Sequence, residues 1–362
     1  MTALDRRQPD QVPVTWELVN RSAYALTGRT GWRAICDTHR LIGSAIFNVQ
    51  GIGPEVHAEM GPGHTEEGRP AGKMGSWALT EYVLRTPSGE LTMKTAFGGL
   101  PHDPIVGRTM EYYVKRREDY EIIVEHYDEW AKRAEPRDTE TRTAIDFIGE
   151  DGIANHWMCD SLYALATARH PEEFIVDLVE AKPLMHKVLE VVHRRTERML
   201  EAFNASPAEA LVWDTAFCST SLVNPEIARE FAVPELKWAL ANLAPGKRLC
   251  LFISGRMRDL VPMMIEAGAT AIQHFDGTGG GDCDLAEIKR TFGDQICIMG
   301  NYNPVILARG TVEEARAEAR RCFESAMAGG AYILTTADEV PADAKLENMR
   351  AVVEEADTAG RY

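Results

Sequence analysis

Basic residues are in deficit in this chain: 39 Lys and Arg stand against 55 Asp and Glu, so the formal charge is −16, and no basic cluster offsets it. A nucleic-acid backbone is therefore an unfavourable partner. Long apolar runs are missing too. Nothing approaches the roughly eighteen continuous apolar residues of a membrane span, and the opening MTALDRRQPDQVPV has charge and proline where a secretory leader needs an apolar stretch. A cytoplasmic protein is expected. The seven cysteines, at 36, 159, 218, 250, 283, 297 and 322, are odd in number and include no Cys-x-x-Cys pair. Neither a disulfide framework nor a structural zinc finger is indicated, and most are expected as buried thiols. What is present is a globular composition, with 45% hydrophobic and 26% charged residues in 362, enough for a large core.

Short β-rich apolar runs alternate with longer helical stretches. The strand candidates are 12–18, 45–49, 144–148, 210–213, 249–253, 271–274, 296–299 and 331–334. Apolar periodicity predicts helices over 171–203, 225–243, 257–267, 285–292 and 311–328. Asn224 before Pro225 suits a cap and first turn, and Thr311 followed by two glutamates suits a positive helix N-terminus. Eight strands with intervening helices predict an α/β fold, a (β/α)8 TIM barrel formed as a single domain over 1–362. A doubly wound open sheet is the alternative, but no Gly-rich phosphate loop follows the first strand.

One segment breaks the alternation. The β-prone runs 77–85 and 90–97 are joined by Thr86, Pro87, Ser88 and Gly89, which predicts a β-hairpin inside an insertion of about 52–110 after the second barrel strand. Glu66 falls in the Gly-rich loop before the hairpin, Glu81 in its first arm and His102 just beyond its second. Fourteen residues separate the first two and twenty the second pair. Carboxylate oxygen and neutral imidazole nitrogen are good zinc ligands, and three of them leave a fourth position for water or substrate. The same three residues also read as surface carboxylates beside an unrelated loop histidine.

The runs LFISG (251–255), IMGNYNP (298–304) and ILTTADEVP (333–341), with the opening PDQVPV and the segment WDTAFCSTSLVNPEIAREFAVPELK, resemble the uroporphyrinogen decarboxylase superfamily over most of the chain. That resemblance implies the barrel of this type, and either a decarboxylase or a zinc-dependent methyltransferase working with corrinoid proteins or coenzyme M. The arginine-rich segment of the decarboxylases reads WELVNRSAY here, with Arg21 alone, and their second-strand aspartate is missing from IFNVQGIG. The thiol-alkylating methyltransferases carry zinc ligands where this chain has Phe252, Ser254 and Asp338. Phenylalanine cannot ligate zinc and serine is a poor ligand.

The methyltransferase components of corrinoid-dependent aryl O-demethylases, of the veratrol and vanillate type, are similar in overall pattern and share the Glu, fourteen, Glu, twenty, His spacing of Glu66, Glu81 and His102. The resemblance therefore implies an enzyme that demethylates an aryl methyl ether. Zinc would act as Lewis acid on the ether oxygen, and the methyl group would pass to the Co(I) corrinoid (cobalamin) of a separate protein. A metal-free decarboxylase acting on an aromatic or pyrrolic acid is the alternative; a non-enzymatic binding scaffold fits the open-ligand pattern less well, and a homodimer is compatible with both enzyme readings. Asp214, after the 210–213 strand, and Asn301, after the 296–299 strand, are the catalytic candidates, with helix capping as the plain reading of Asp214. Trp77, Tyr112, Trp157 and Phe275 are expected as aromatic walls for substrate, with core packing the more frequent role of any one such ring. Asn303 is expected in a turn, and His156 and His274 as satisfied structural groups.

Overall fold

A computed structural model describes residues 1–100 and 103–362; the expected ligand His102 lies outside the described residues. The chain divides into two compact units, one of residues 1–53, 139–158 and 207–362, the other of 54–138 and 159–206. The second takes in the expected insertion together with 111–138 and 159–206.

The first unit is built on a six-stranded sheet, Asn155–Cys159, Ala210–Asp214, Arg248–Phe252, Ala271–His274, Cys297–Gly300 and Tyr332–Ile333, in sequence order. Its registered pairs are parallel, as Leu211 beside Leu249 and Ile272 beside Ile298 show. Ala210–Asp214, Ala271–His274 and Cys297–Gly300 are buried along their whole length, as strands covered on both faces must be. Single bridges carry the ring onward. Leu334 pairs parallel with Val14, and the Thr15 N–H donates to the Leu334 carbonyl at 3.0 Å. The Ala45 N–H then donates to Val14, and Ile46 joins Gly152 through bonds to Asp151 and from Ile153. Eight segments thus form a (β/α)8 barrel. A small apolar cluster including Cys250, Cys297, Met299, Ala210, Ala271, Phe47 and Ile333 packs with Ala3 and Leu4. Much of it comes from strand beginnings, which leaves polar side chains for the C-terminal ends.

Segment 144–148 is not a strand. It belongs to the helix Thr139–Ile148, where Thr141, Ala144 and Ile148 are the buried residues at helical spacing. The third barrel strand is Asn155–Cys159, whose polar Asn155 and His156 are buried and mask it from a hydropathy reading. The 171–203 helix is two, Pro171–Glu180 and Lys182–Ala205, because Pro183 cannot supply the N–H that would continue the first. In 225–243 the helix passes through a π turn, Ala228–Ala232, just ahead of Pro234. The expected caps form: Asn224 accepts from the Ile227 N–H, and Thr311 and Glu314 make a reciprocal capping box.

The second unit holds a four-stranded antiparallel sheet, Thr65–Met74, Trp77–Thr86, Gly89–Phe97 and Gly107–Glu111, with the helices Tyr120–Arg133 and Lys182–Ala205. The expected hairpin is its centre, turning at Pro87–Ser88 between Thr86 and Gly89. Gly89 has φ +152°, and the Ser88 N–H donates to the Thr86 hydroxyl. Glu66 is not in a loop as expected. It lies in the strand Thr65–Met74, which is exposed throughout and so carries no apolar alternation to reveal it.

Candidate active site at the mouth of the barrel

The C-terminal ends of the barrel strands gather an unusual set of side chains. Asp214 ends its strand with only 7% of its surface exposed. Its Oδ1 accepts the Ala216 N–H at 3.0 Å, and the Trp157 side chain also bonds to the carboxyl. Burial pushes Asp214 up to about 7, opposed by the Ala216 N–H and reinforced by the charge of Glu17. Glu17, from the first barrel segment, is fully buried and pairs with the fully buried His274. Burial raises the Glu17 carboxyl. For His274, burial favours the neutral ring, but the Glu17 carboxylate outweighs it and the imidazole is raised. Phe252 stands between the Trp157 ring at 4.9 Å and the His274 ring at 4.3 Å, edge-on to both. His274 and Phe275 have φ of +86° and +47°, a conformation that costs free energy outside glycine and that this strand end nevertheless keeps.

The arrangement sets a protonatable carboxyl at Asp214 beside the packed rings of Trp157 and Phe252. Burial leaves the Oε1 of Glu17 and the Nδ1 of His274 without hydrogen-bond partners among the described residues. Glu17 and Phe252 were not among the expected site residues. An acid inside the strand candidate 12–18 was the available signal for Glu17; nothing in the sequence marks Phe252 as an aromatic wall.

Of the expected residues, Asp214 and Trp157 meet at this mouth. Asn301 is buried and spends its side chain on structure, donating from Nδ2 to the Phe275 carbonyl at 2.8 Å and accepting from Arg321 at 3.0 Å. Phe275 is wholly buried. Asn303 caps a helix through the Val305 N–H, and His156 bonds to Thr141 at 2.9 Å, both as structural groups. Trp77 and Tyr112 belong to the second unit, Trp77 beneath the Arg108 guanidinium at 4.3 Å and Tyr112 edge-on to His170 at 5.5 Å.

The two glutamates expected to share zinc do not converge. Glu66 stands opposite Leu84, and Glu81 opposite Arg69 and Lys94. Paired residues share a face of a sheet and successive residues alternate, so Glu66 and Glu81 point to opposite faces. Their carboxylates are engaged separately. Tyr113 donates to Glu66 at 2.7 Å, while Arg69 donates from Nε and Nη2 to Glu81 at 2.9 and 2.6 Å and holds that carboxyl below its ordinary value. Among the described residues no three His, Cys, Asp or Glu gather to hold a metal ion. This pair does not fit a single zinc ion.

Against this geometry stand the similarities to known proteins. The sequence model of uroporphyrinogen decarboxylase (URO-D) matches residues 161–359, more than half of the chain. The chain belongs to the uroporphyrinogen decarboxylase family. Within that family it is 29% identical over 182 residues to the uroporphyrinogen decarboxylase of Thioalkalivibrio sulfidiphilus, covering 49% of each chain. It is 24% identical over 176 residues to the corresponding protein of Neisseria meningitidis, covering 47% of each. The chain thus spans about half the length of the curated family members it matches. A solved methyltransferase from Methanosarcina mazei superposes with TM-score 0.63 over 98% of this chain and 96% of its own, at 15% identity. That similarity is one of fold.

Proposed function

We propose that this family member is a methyltransferase that demethylates an aryl methyl ether, with Asp214 protonating the departing phenol oxygen and the Co(I) corrinoid of a separate protein accepting the methyl group. The observation that carries the reading is the buried Asp214 carboxyl, which titrates at about 7 beside Trp157. A phenol titrates near 10, so a proton passing from Asp214 to a phenoxide moves downhill by roughly 3 pKa units, about 4 kcal/mol. The carbon–oxygen bond breaks with its electron pair going to oxygen, Asp214 supplies the proton, and the two electrons of Co(I) form the new methyl–cobalt bond. Trp157 and Phe252 hold the arene and keep water from the leaving oxygen. Because Glu66 and Glu81 face apart, the acid assistance that the resemblance assigns to zinc falls on Asp214.

The same mouth speaks against a polycarboxylate substrate. Asp338 and Glu339 act electrostatically on Glu17, Asp338 also on His274, and Arg21 is already paired with Glu339. A porphyrinogen would bring several carboxylates into this negative field. The test is to incubate the protein with methoxybenzene derivatives and a reduced corrinoid protein, following methyl–cobalt formation and phenol release. Carbon dioxide release from an aromatic or pyrrolic acid without corrinoid, and no methyl–cobalt, would transfer the assignment to decarboxylation, the activity named for the curated relatives.

A further inference from the structure

Within the second unit, the helix Tyr120–Arg133, the helix Lys182–Ala205 and one face of the antiparallel sheet border a half-open cavity of about 450 Å³. Packing between helices and a sheet is ordinarily apolar and dense. Here the hollow sets Glu66, Tyr113, His126 and Arg195 among apolar and aromatic walls that include Tyr127 and Trp130. Its volume lies in the range of small-molecule sites, roughly 300–1,000 Å³. Trp130 neighbours both Tyr127, at i−3, and His126, at i−4, on the same helix.

Arg195 decides the chemistry. Its guanidinium lies 5.9 Å from the Tyr127 ring and 5.7 Å from the Trp130 ring, and its Nη1 is buried with no hydrogen-bond acceptor among the described residues. Glu66, the carboxylate on the wall, is taken by Tyr113 and forms no ion pair with Arg195 among the described residues. A buried guanidinium N–H without an acceptor is costly, and its planar fork matches a carboxylate. His126 adds a buried Nδ1 that is also unpartnered among the described residues, and burial holds its ring toward the neutral form.

We infer that this cavity binds a planar aromatic carboxylate, with the carboxylate on Arg195 and the ring against Tyr127 and Trp130. The inference does not rest on the methyl-transfer reading, whose Asp214 belongs to the other unit. Benzoate, benzamide and cyclohexanecarboxylate are the probes, titrated calorimetrically into the full chain and followed by tryptophan fluorescence. Benzoate should bind one per chain, about tenfold or more tighter than benzamide, which lacks the charge, and tighter than cyclohexanecarboxylate, which lacks the π face. Arg195→Met should lose benzoate affinity by about tenfold or more, while Asp214→Asn, which tests the methyl-transfer reading, should leave it unchanged. Equal binding of benzoate and benzamide to the unmodified protein, or no benzoate binding at millimolar concentration, overturns the inference whether or not the Arg195 variant folds.

Discussion

A carboxyl group that titrates near neutrality inside a protein acts on two measurable quantities at once. If Asp214 delivers the proton, turnover should fall as pH rises through about 7. Asp214→Asn should lose that limb and slow demethylation by about 10²–10⁴-fold, read as a pH profile of phenol release. The second quantity is stability. Asp214 titrates at about 7 folded, against 3.8 ordinarily, so between those values the folded chain holds the extra proton and stability falls as pH rises. Asp214→Asn removes that penalty. The variant should be more stable at pH 8, by up to roughly 4 kcal/mol, and no different below pH 4, a pattern that denaturant titrations at the two pH values would reveal.

At the level of elements, the barrel ring depends on a close approach that only glycine permits. A Cβ on Gly152 would sit 2.0 Å from the Ile46 carbonyl oxygen, where the second and third barrel segments meet. Gly152→Ala should therefore destabilise the fold by several kcal/mol, of the order of the largest single-residue effects, measured by urea unfolding. The opposed faces of Glu66 and Glu81 make a second element-scale prediction. Metal analysis of Glu66→Ala and Glu81→Ala proteins should not show both changes abolishing the same bound zinc; matched loss in the two would require the strands to pair in another register. Most barrel strands were legible because apolar runs such as 210–213 and 249–253 announce burial on both faces. Asn155–Cys159 was not, because its buried partners are polar, and Thr65–Met74 was not, because an exposed polar strand has no apolar period at all. Glu66 and Glu81 could be spaced by counting residues, but the face each occupies follows from pairing register, which counting does not supply.

Across the whole molecule, buried histidines set a competing response to acid. Burial lowers His39 to about 3 and His156 to about 4, so both stay neutral in the folded chain while their unfolded counterparts take up protons below about 6.5. Asp214 works in the opposite sense over much of the same range. Two protons favour unfolding and one favours folding between about pH 6.5 and 4, so these three groups together lower stability by about 1.4 kcal/mol per pH unit toward acid. In Asp214→Asn the measured slope should steepen by about 1.4 kcal/mol per pH unit relative to the unmodified protein, which a series of unfolding curves would detect. The family and the barrel were readable from motifs distributed along the chain; the acid site was only half readable, since Asp214 ends a recognisable strand while Glu17 and Phe252 gain their meaning from segments far away in sequence.

The barrel floor joins Ala3 and Leu4 to Ile333 and Met299, and its first segment, bonded early to Ala45, finds its other neighbour only at Leu334. On the ribosome, Leu4 emerges long before the strand that covers it exists. Until synthesis has passed Leu334, the nascent chain must carry an unclosed sheet with both an apolar floor and a strand edge in the open. Chaperone demand during production should therefore concentrate on chains that have not yet reached Leu334.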